Sequence, residues 1–129
     1  MVLSERARIL VVEDDDDVRE LAVNVLRDMG YDVTQAASGG IALAILGQDL
    51  PIDLLFTDIV MPGEPDGLKL AEWARWLRPD IKILYTTGLS GTLRVDKRSL
   101  HGEVLAKPYG LKQLASAVRQ LLSADAAAH

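Results

Sequence analysis

Short apolar runs alternate with stretches of helical spacing along most of the chain. Five runs predict β-strands, at residues 8–12, 31–36, 52–57, 81–86 and 102–106. Between them, apolar residues recur three and four positions apart, as on the inner face of an amphipathic helix. This alternation is typical of a parallel sheet with helices on both faces. We therefore predict one α/β domain over residues 1–129 and no effector domain.

Four helices are predicted with defined inner faces, and a fifth segment is less regular. The first is capped by Asp16 or Asp17 and ends at Gly30; the second begins at Ser38; the third is capped by Asp66. The predicted inner faces are, in chain order, Val18, Leu21, Ala22, Val25 and Met29; Ile41, Ala44 and Ile45; Leu70, Ala71, Ala74 and Leu77; and Leu111, Leu114, Ala115, Val118, Leu121 and Leu122. Residues 89–100 lack a clean stripe and predict a short or mobile helix.

Composition narrows the class of protein. The 129 residues are 49% hydrophobic and 26% charged, as in ordinary globular domains. A net charge of −5 argues against direct nucleic-acid binding. The absence of cysteine excludes disulfides and thiolate metal sites. No apolar run reaches the roughly 18 residues of a membrane span, and the N-terminus lacks the apolar core of a signal peptide. We expect a cytoplasmic protein with no membrane contact.

Polar residues that can carry chemistry follow four of the predicted strands. They are Glu13, Asp14 and Asp15, then Asp58, then Thr86 and Thr87, and finally Lys107. In an open parallel sheet, ligands bind beyond the carboxyl ends of the strands. Acids gathered at one point need a cation, and oxygen ligands favour Mg²⁺. Carboxylates, Mg²⁺, a lysine and a hydroxyl together indicate phosphoryl transfer, in which one carboxylate can be the nucleophile.

Other common signatures are missing. The chain has neither a Walker A loop nor G-x-G-x-x-G, and Gly39-Gly40 fits neither pattern. His101 is expected to be a solvated side chain, and no catalytic role is assigned to it.

Four segments together resemble the receiver domain of two-component response regulators. They read ILVVEDD, LLFTDIVMPGEPDG, ILYTTG and LAKPY, and the match covers nearly the whole chain. The loop MPGEPDG is one residue longer than the commonest form and is similar to receivers of hybrid sensor kinases. The resemblance implies a flavodoxin-like three-layer αβα sandwich, with a five-stranded parallel sheet in the order 2-1-3-4-5.

The resemblance also implies a role for each strand-end residue. Asp58 would be the phosphoacceptor, and Glu13, Asp14, Asp58 and the backbone carbonyl of Val60 would hold Mg²⁺. The Thr87 hydroxyl would move towards the phosphoryl group, and Lys107 would pair with its oxygens. A cis peptide is expected before Pro108. The partner would be a histidine kinase or a histidine phosphotransfer protein, and the chain would be a switch rather than a turnover enzyme.

Two residues and one segment depart from the family pattern. Val104 stands where many receivers carry an aromatic switch residue, and residues 89–100 are atypical. Both lie on the face through which receivers generally signal, formed by residues 89–100, the fifth strand and the last helix. We hypothesise that the phosphorylation chemistry is intact and the output unusual. Val60 lacks a polar group that could assist a hydrolytic water, which predicts slow dephosphorylation.

Three alternative functions fit the sequence less well. The first alternative is an interaction-only pseudo-receiver; a missing Asp or Lys would favour it, but neither is missing. A phosphohydrolase of the haloacid-dehalogenase type needs D-x-D, whereas the tripeptide here is Asp58-Ile-Val. A flavin-binding flavodoxin needs a Ser/Thr-rich phosphate loop after the first strand, where five acids would repel phosphate.

The rest of the acidic run and the two tryptophans have separate interpretations. In the acidic run, Asp16 and Asp17 are assigned to the helix cap, and Asp15 to no site. Trp73 falls at the edge of the inner face of the third helix, and Trp76 points away from it. An exposed tryptophan can mark a partner or homodimer surface, or it can pack over a neighbouring element; both interpretations stay open.

Overall fold

The computed structural model describes residues 6–88 and 100–127. Within these residues, five strands alternate with four helices. The strands are β1 Arg8–Val12, β2 Asp32–Ala36, β3 Leu54–Asp58, β4 Lys82–Thr87 and β5 Glu103–Ala106. The helices are α1 Asp16–Asp28, α2 Gly39–Leu46, α3 Gly67–Leu77 and α4 Leu111–Ala127. The helix predicted within residues 89–100 lies, except for Leu100, outside the described residues.

All five strands form one parallel sheet in the order β2-β1-β3-β4-β5. The predicted strand order and doubly wound architecture are therefore confirmed. The order reverses beside β1, because the chain first moves outward to β2 and then crosses to β3 on the other side. Such a reversal opens the crevice in which α/β proteins bind their ligands.

Each face of the sheet carries its own hydrophobic core. Neighbouring strand residues point to opposite faces, so Leu54 packs on one side and Leu55 on the other. Helices α2 and α3 cover the face that includes Leu55, and α1 and α4 cover the face that includes Leu54. Because both faces are buried, β3 reads as a continuous apolar run.

The predicted inner face of α1 is rotated from the real one. Ala22, Val23 and Leu26 are its buried residues, whereas Leu21 is 52% exposed. Val25 and Met29 pack at the edge of the core. The sequence has more apolar residues in this helix than one face can bury, so periodicity alone placed the face off centre.

The inner face of α2 was also predicted wrongly. Its buried residues are Gly39, Ala42 and Leu46, while Ile41 is 50% exposed. The helix contains no polar residue that could mark its outer side, so the pattern could not select a face.

The two later helices agree better with prediction. In α3, Leu70, Ala71 and Ala74 are buried as predicted, but Leu77 is 40% exposed. In α4, Leu114 and Val118 are buried and Leu111 is 44% exposed. Trp73 and Trp76 are exposed by 46% and 76%, which confirms that they lie off the inner face.

The N-cap of α1 is a different acid from the two that the sequence predicts. Asp15 is the N-cap, and its side chain accepts hydrogen bonds from the backbone N–H groups of Asp17 and Val18, each at 3.0 Å. Asp16 and Asp17 lie in the first turn instead. The predicted caps Ser38 and Asp66 are confirmed, since each accepts from a backbone N–H three residues later.

The loop after β3 explains the glycine pair that matched no phosphate-binding motif. At Gly39 a Cβ atom would collide with the carbonyl oxygen of Pro65, while Gly40 has only ordinary contacts. The backbone of this loop therefore packs directly against the start of α2. The peptides before Pro65 and Pro108 are both cis, as predicted for Pro108. None of the helices in the described part of the chain is long and apolar enough to span a membrane.

Candidate functional site

Backbone pairing continues one residue past three strands and fixes the site residues in place. The Glu13 N–H donates to the Ala36 carbonyl at 3.2 Å, and the Lys107 N–H donates to the Thr87 carbonyl at 2.8 Å. The N–H of Ile59 likewise donates to Thr86 at 2.9 Å. The ends of β1, β3, β4 and β5 are thus held in register, which brings the strand-end side chains to one edge of the sheet.

Lys107 joins the two buried acids. Its Nζ lies 2.8 Å from Oε1 of Glu13 and 2.8 Å from Oδ2 of Asp58. Both carboxylates are almost fully buried, whereas the lysine is partly exposed. Two buried negative charges would be costly alone, so the shared ammonium is their main compensation.

The predicted metal-binding acids lie together. Glu13, Asp14 and Asp58 each offer a carboxylate oxygen, and these oxygens lie within 4.8 Å of one another. Asp14 is exposed and the other two are buried, so the cluster opens to solvent on one side. An all-oxygen, partly solvated set suits a hard cation such as Mg²⁺ that retains several waters. The residues present therefore fit the predicted metal.

The remaining contacts of the acids are backbone contacts. Oδ1 of Asp58 accepts from the Val60 N–H at 3.2 Å, and Oε2 of Glu13 accepts from the Asp15 N–H at 3.1 Å. Asp15 therefore supports Glu13 through its backbone while its own side chain caps α1. The Val60 side chain is 64% exposed at the mouth of the site.

Burial and charge shift two of the site's groups. Burial raises the pKa of the Glu13 carboxyl, and hydrogen bonds from Lys107 and the Asp15 N–H oppose that rise. For Lys107, burial alone would lower the pKa, but the hydrogen bonds to Asp58 and Glu13 outweigh it and keep the pKa above its ordinary value. The lysine is therefore a fixed positive charge at neutral pH.

Two threonines end β4, and they differ in environment. The Thr87 hydroxyl donates to the Gly88 carbonyl at 3.3 Å, a long bond that leaves the group easily redirected. Thr86 is in register with Asp58, and its buried hydroxyl has no hydrogen-bond partner among the described residues. Thr87 is thus at the predicted strand end, with its carbonyl bonded to the Lys107 N–H.

The position of the missing aromatic residue has an aromatic neighbour on the next strand. Val104 is in register with Tyr85, and both pack in the core on the α2 and α3 side. The Tyr85 side chain is buried, and its hydroxyl accepts from the His101 N–H at 3.1 Å. Tyr85 on β4 therefore places an aromatic side chain next to Val104, and its hydroxyl contacts the turn that leads into β5.

Two residues near the acids have no role in the sequence-based prediction. Tyr109 packs edge-on against Phe56, with ring centroids 5.8 Å apart, and burial together with the charge of Glu13 raises its pKa to about 12. Arg19 donates to the Glu13 carbonyl oxygen at 2.9 Å. The aromatic residue directly after Lys-Pro was a usable signal for Tyr109. Arg19 offered none, because its partner is a backbone atom.

Comparisons with known proteins identify the family. Residues 9–119 match the family model described as the response regulator receiver domain. The response regulator receiver protein CpdR of Brucella abortus is 41% identical over 119 residues, which cover 91% of this chain and 98% of that protein. The sensor kinase CckA of the same organism is 40% identical over 126 residues, which cover 93% of this chain but only 13% of the kinase.

A solved structure shows the same fold. The response regulator receiver protein of Sinorhizobium medicae superposes with a TM-score of 0.81 at 32% identity, covering 93% of this chain and 97% of that one. The similarity to CckA agrees with the resemblance that the longer loop indicated. With its family model, its strand order and its strand-end acids and lysine, this chain belongs to the receiver domain family of two-component response regulators.

Proposed function

We propose that this chain is a cytoplasmic phosphorelay switch that accepts a phosphoryl group on Asp58. The observation that carries the proposal is the double ion pair of Lys107, whose Nζ lies 2.8 Å from both Asp58 and Glu13. It places a positive charge directly beside the oxygen of a buried carboxylate. The donor would be the phosphohistidine of a histidine kinase or of a histidine phosphotransfer protein.

In the proposed reaction, a carboxylate oxygen of Asp58 attacks phosphorus as the bond from phosphorus to the histidine nitrogen breaks. The imidazole leaves with the electron pair, and Asp58 becomes a mixed anhydride. Attack by an anion on an anionic group needs positive charge, which Lys107 supplies to the transferred oxygens. The Val60 N–H, 3.2 Å from Oδ1, orients the Asp58 carboxylate.

Magnesium would be held by Glu13, Asp14, Asp58 and the Val60 carbonyl, and when bound it would neutralise phosphoryl charge. The Thr87 hydroxyl is close to the end of its strand and can turn to donate to the new phosphoryl group. The exposed apolar side chain of Val60 cannot orient a water, so we expect a long-lived acyl phosphate.

The phosphorylation test uses acetyl phosphate with Mg²⁺, followed by intact-protein mass spectrometry. Wild type should gain one phosphoryl group, and Asp58→Asn should gain none. Asp53→Asn is a matched control, because Asp53 flanks the opposite end of β3 and accepts from the Arg8 N–H. If wild type gains nothing while a known receiver is labelled, the chain is instead an interaction-only pseudo-receiver.

The metal assignment has its own test. Asp14→Ala removes one acid of the cluster and should weaken Mg²⁺ binding at least tenfold, as measured by titration calorimetry. Asp17→Ala removes an equal charge from the first turn of α1, outside the cluster, and should leave binding within about twofold. Equal losses from both variants would show that the acidic run acts only through its total charge.

A further inference from the structure

Four side chains form one continuous stripe along α3. Lys69, Glu72, Trp73 and Trp76 are spaced i, i+3, i+4 and i+7, which places them on the same side of the helix. They line a shallow surface groove of about 430 Å³. The two indole rings meet edge to face, with centroids 6.2 Å apart. We call these four residues the tryptophan stripe.

The tryptophan stripe lies on the outer side of α3, off the hydrophobic core. Trp73 and Trp76 are 46% and 76% exposed, while the buried face of α3 is formed by Leu70, Ala71 and Ala74. An isolated exposed apolar residue needs no explanation, but two adjacent tryptophans beside a groove indicate an interaction surface. The phosphorylation chemistry makes no use of them.

We propose that the tryptophan stripe is a self-association surface that binds a second copy of this chain. If two α3 helices pack antiparallel about a two-fold axis between positions 72 and 73, position 69 meets position 76 and position 72 meets position 73. Each charged residue of one copy then faces a tryptophan of the other. The order of charged and aromatic residues along the stripe is what makes this surface complementary to itself.

Both resulting pairs are favourable. The Lys69 ammonium would lie over the indole ring of Trp76 in the second copy, where a cation is attracted by the face of the ring. The Glu72 carboxylate would accept a hydrogen bond from the indole N–H of Trp73 in the second copy. Because the two-fold axis repeats each pair, the interface contains four such contacts. No like charges are placed opposite each other.

The available area predicts a weak dimer. Two tryptophans of roughly 250 Å² each, exposed by 46% and 76%, offer on the order of 300 Å² per copy. A stable interface of ordinary size needs about 800 Å² per partner. Even with the stems of Lys69 and Glu72 added, a dissociation constant on the order of 100 μM is expected. The dimer would form without phosphorylation.

Sedimentation equilibrium of the unphosphorylated protein, from about 10 μM to 1 mM, tests the association. Wild type should shift from monomer to dimer over this range, and Trp76→Ser should raise the dissociation constant at least tenfold. Leu21→Ser is the control, since Leu21 is a half-exposed apolar residue on α1, and it should change the constant less than twofold. A wild type that stays monomeric, or a dimer that Trp76→Ser does not weaken, overturns the proposal.

Cysteine cross-linking tests the antiparallel geometry. The natural chain has no cysteine, so each variant carries a single thiol. Glu72→Cys places this thiol beside the proposed two-fold axis, and it should form an intermolecular disulfide at least fivefold faster than Glu20→Cys on α1. Both replaced residues are exposed glutamates on helices. Equal rates would rule out this arrangement and leave the stripe as a surface for a different protein.

Discussion

Neighbouring carboxylates in the acidic run have different tasks because their side chains point to different surroundings. Glu13 is buried against Lys107, Asp14 faces the open side of the acidic cluster, and Asp15 caps α1. Asp16 pairs with Arg19 at 2.7 Å. From the sequence, the clustering of Glu13 and Asp14 with Asp58 could be predicted, because all three follow strand ends. The cap could not, because Asp15, Asp16 and Asp17 are chemically identical and a helix start is uncertain by one or two residues.

The first prediction concerns the corrected cap. Asp15→Ala removes the oxygen that satisfies two backbone N–H groups of α1, so it should lower the free energy of unfolding by about 1 kcal/mol. Asp17→Ala loses only a first-turn charge and should lower the free energy of unfolding by about 0.3 kcal/mol. Urea unfolding of the two variants measures the difference. A larger loss for Asp17→Ala would restore the cap that the sequence suggested.

A second prediction uses the raised pKa of Tyr109, which is about 12. Below pH 10 the phenol is protonated in the folded and the unfolded chain alike, and its stabilising contribution is complete. Between pH 10 and about 12 the unfolded chain loses this proton first, so stability falls as the pH rises. The free energy of unfolding, measured with urea from pH 9 to pH 11.5, should therefore decline more steeply for wild type than for Tyr109→Phe. The same pH dependence in both proteins would contradict the raised pKa of Tyr109.

At the scale of elements, the strands were predictable and the helix faces only partly so. The strands β1, β3 and β4 are compact apolar runs, β2 is half-buried, and the predicted bounds of all five strands fall within two residues of the observed ones. Helix α2, in contrast, is almost wholly apolar, so its inner face depends on what packs against it. Its buried residues pack on the sheet and against α3, and the loop after β3 meets the start of the helix, where Pro65 contacts Gly39. Contacts between segments distant in sequence leave no periodic signal.

The third prediction tests this loop contact. Gly39→Ala would force a Cβ atom into the Pro65 carbonyl and should lower the free energy of unfolding by roughly 1–3 kcal/mol. Gly40→Ala meets only ordinary contacts and should be neutral or stabilising by up to about 1 kcal/mol, since alanine favours helix. Thermal unfolding of both variants measures the contrast. If both glycines tolerate alanine equally, the loop does not rest on α2 in solution.

At the scale of the whole molecule, the fold supplies its own counter-charge at the acidic edge. Strand order could be anticipated from the family resemblance. The bridge from Lys107 to both acids could not, because Lys107 lies 49 positions from Asp58 in the chain and still farther from Glu13. With that bridge, the buried carboxylates are compensated before any metal binds. The domain should therefore fold with or without Mg²⁺, unlike small metal-dependent domains.

The fourth prediction follows from this independence. Removing Mg²⁺ with a chelator should leave the protein folded, whereas Mg²⁺ at ten times its dissociation constant should stabilise the metal-free protein by about 1.4 kcal/mol through mass action. Asp14→Ala should lose this increment while keeping its fold. Unfolding on addition of chelator would show that the lysine bridge is insufficient.

The two tryptophans give the molecule an intrinsic optical reporter. The sequence contains no others, and both belong to α3, so all indole emission arises from one helix. That helix starts directly after the loop that follows Asp58, and its first N–H donates to the Ile59 carbonyl at 3.0 Å. A change at the acidic edge can thus be followed by unlabelled fluorescence in real time, and dilution separates it from any signal due to self-association.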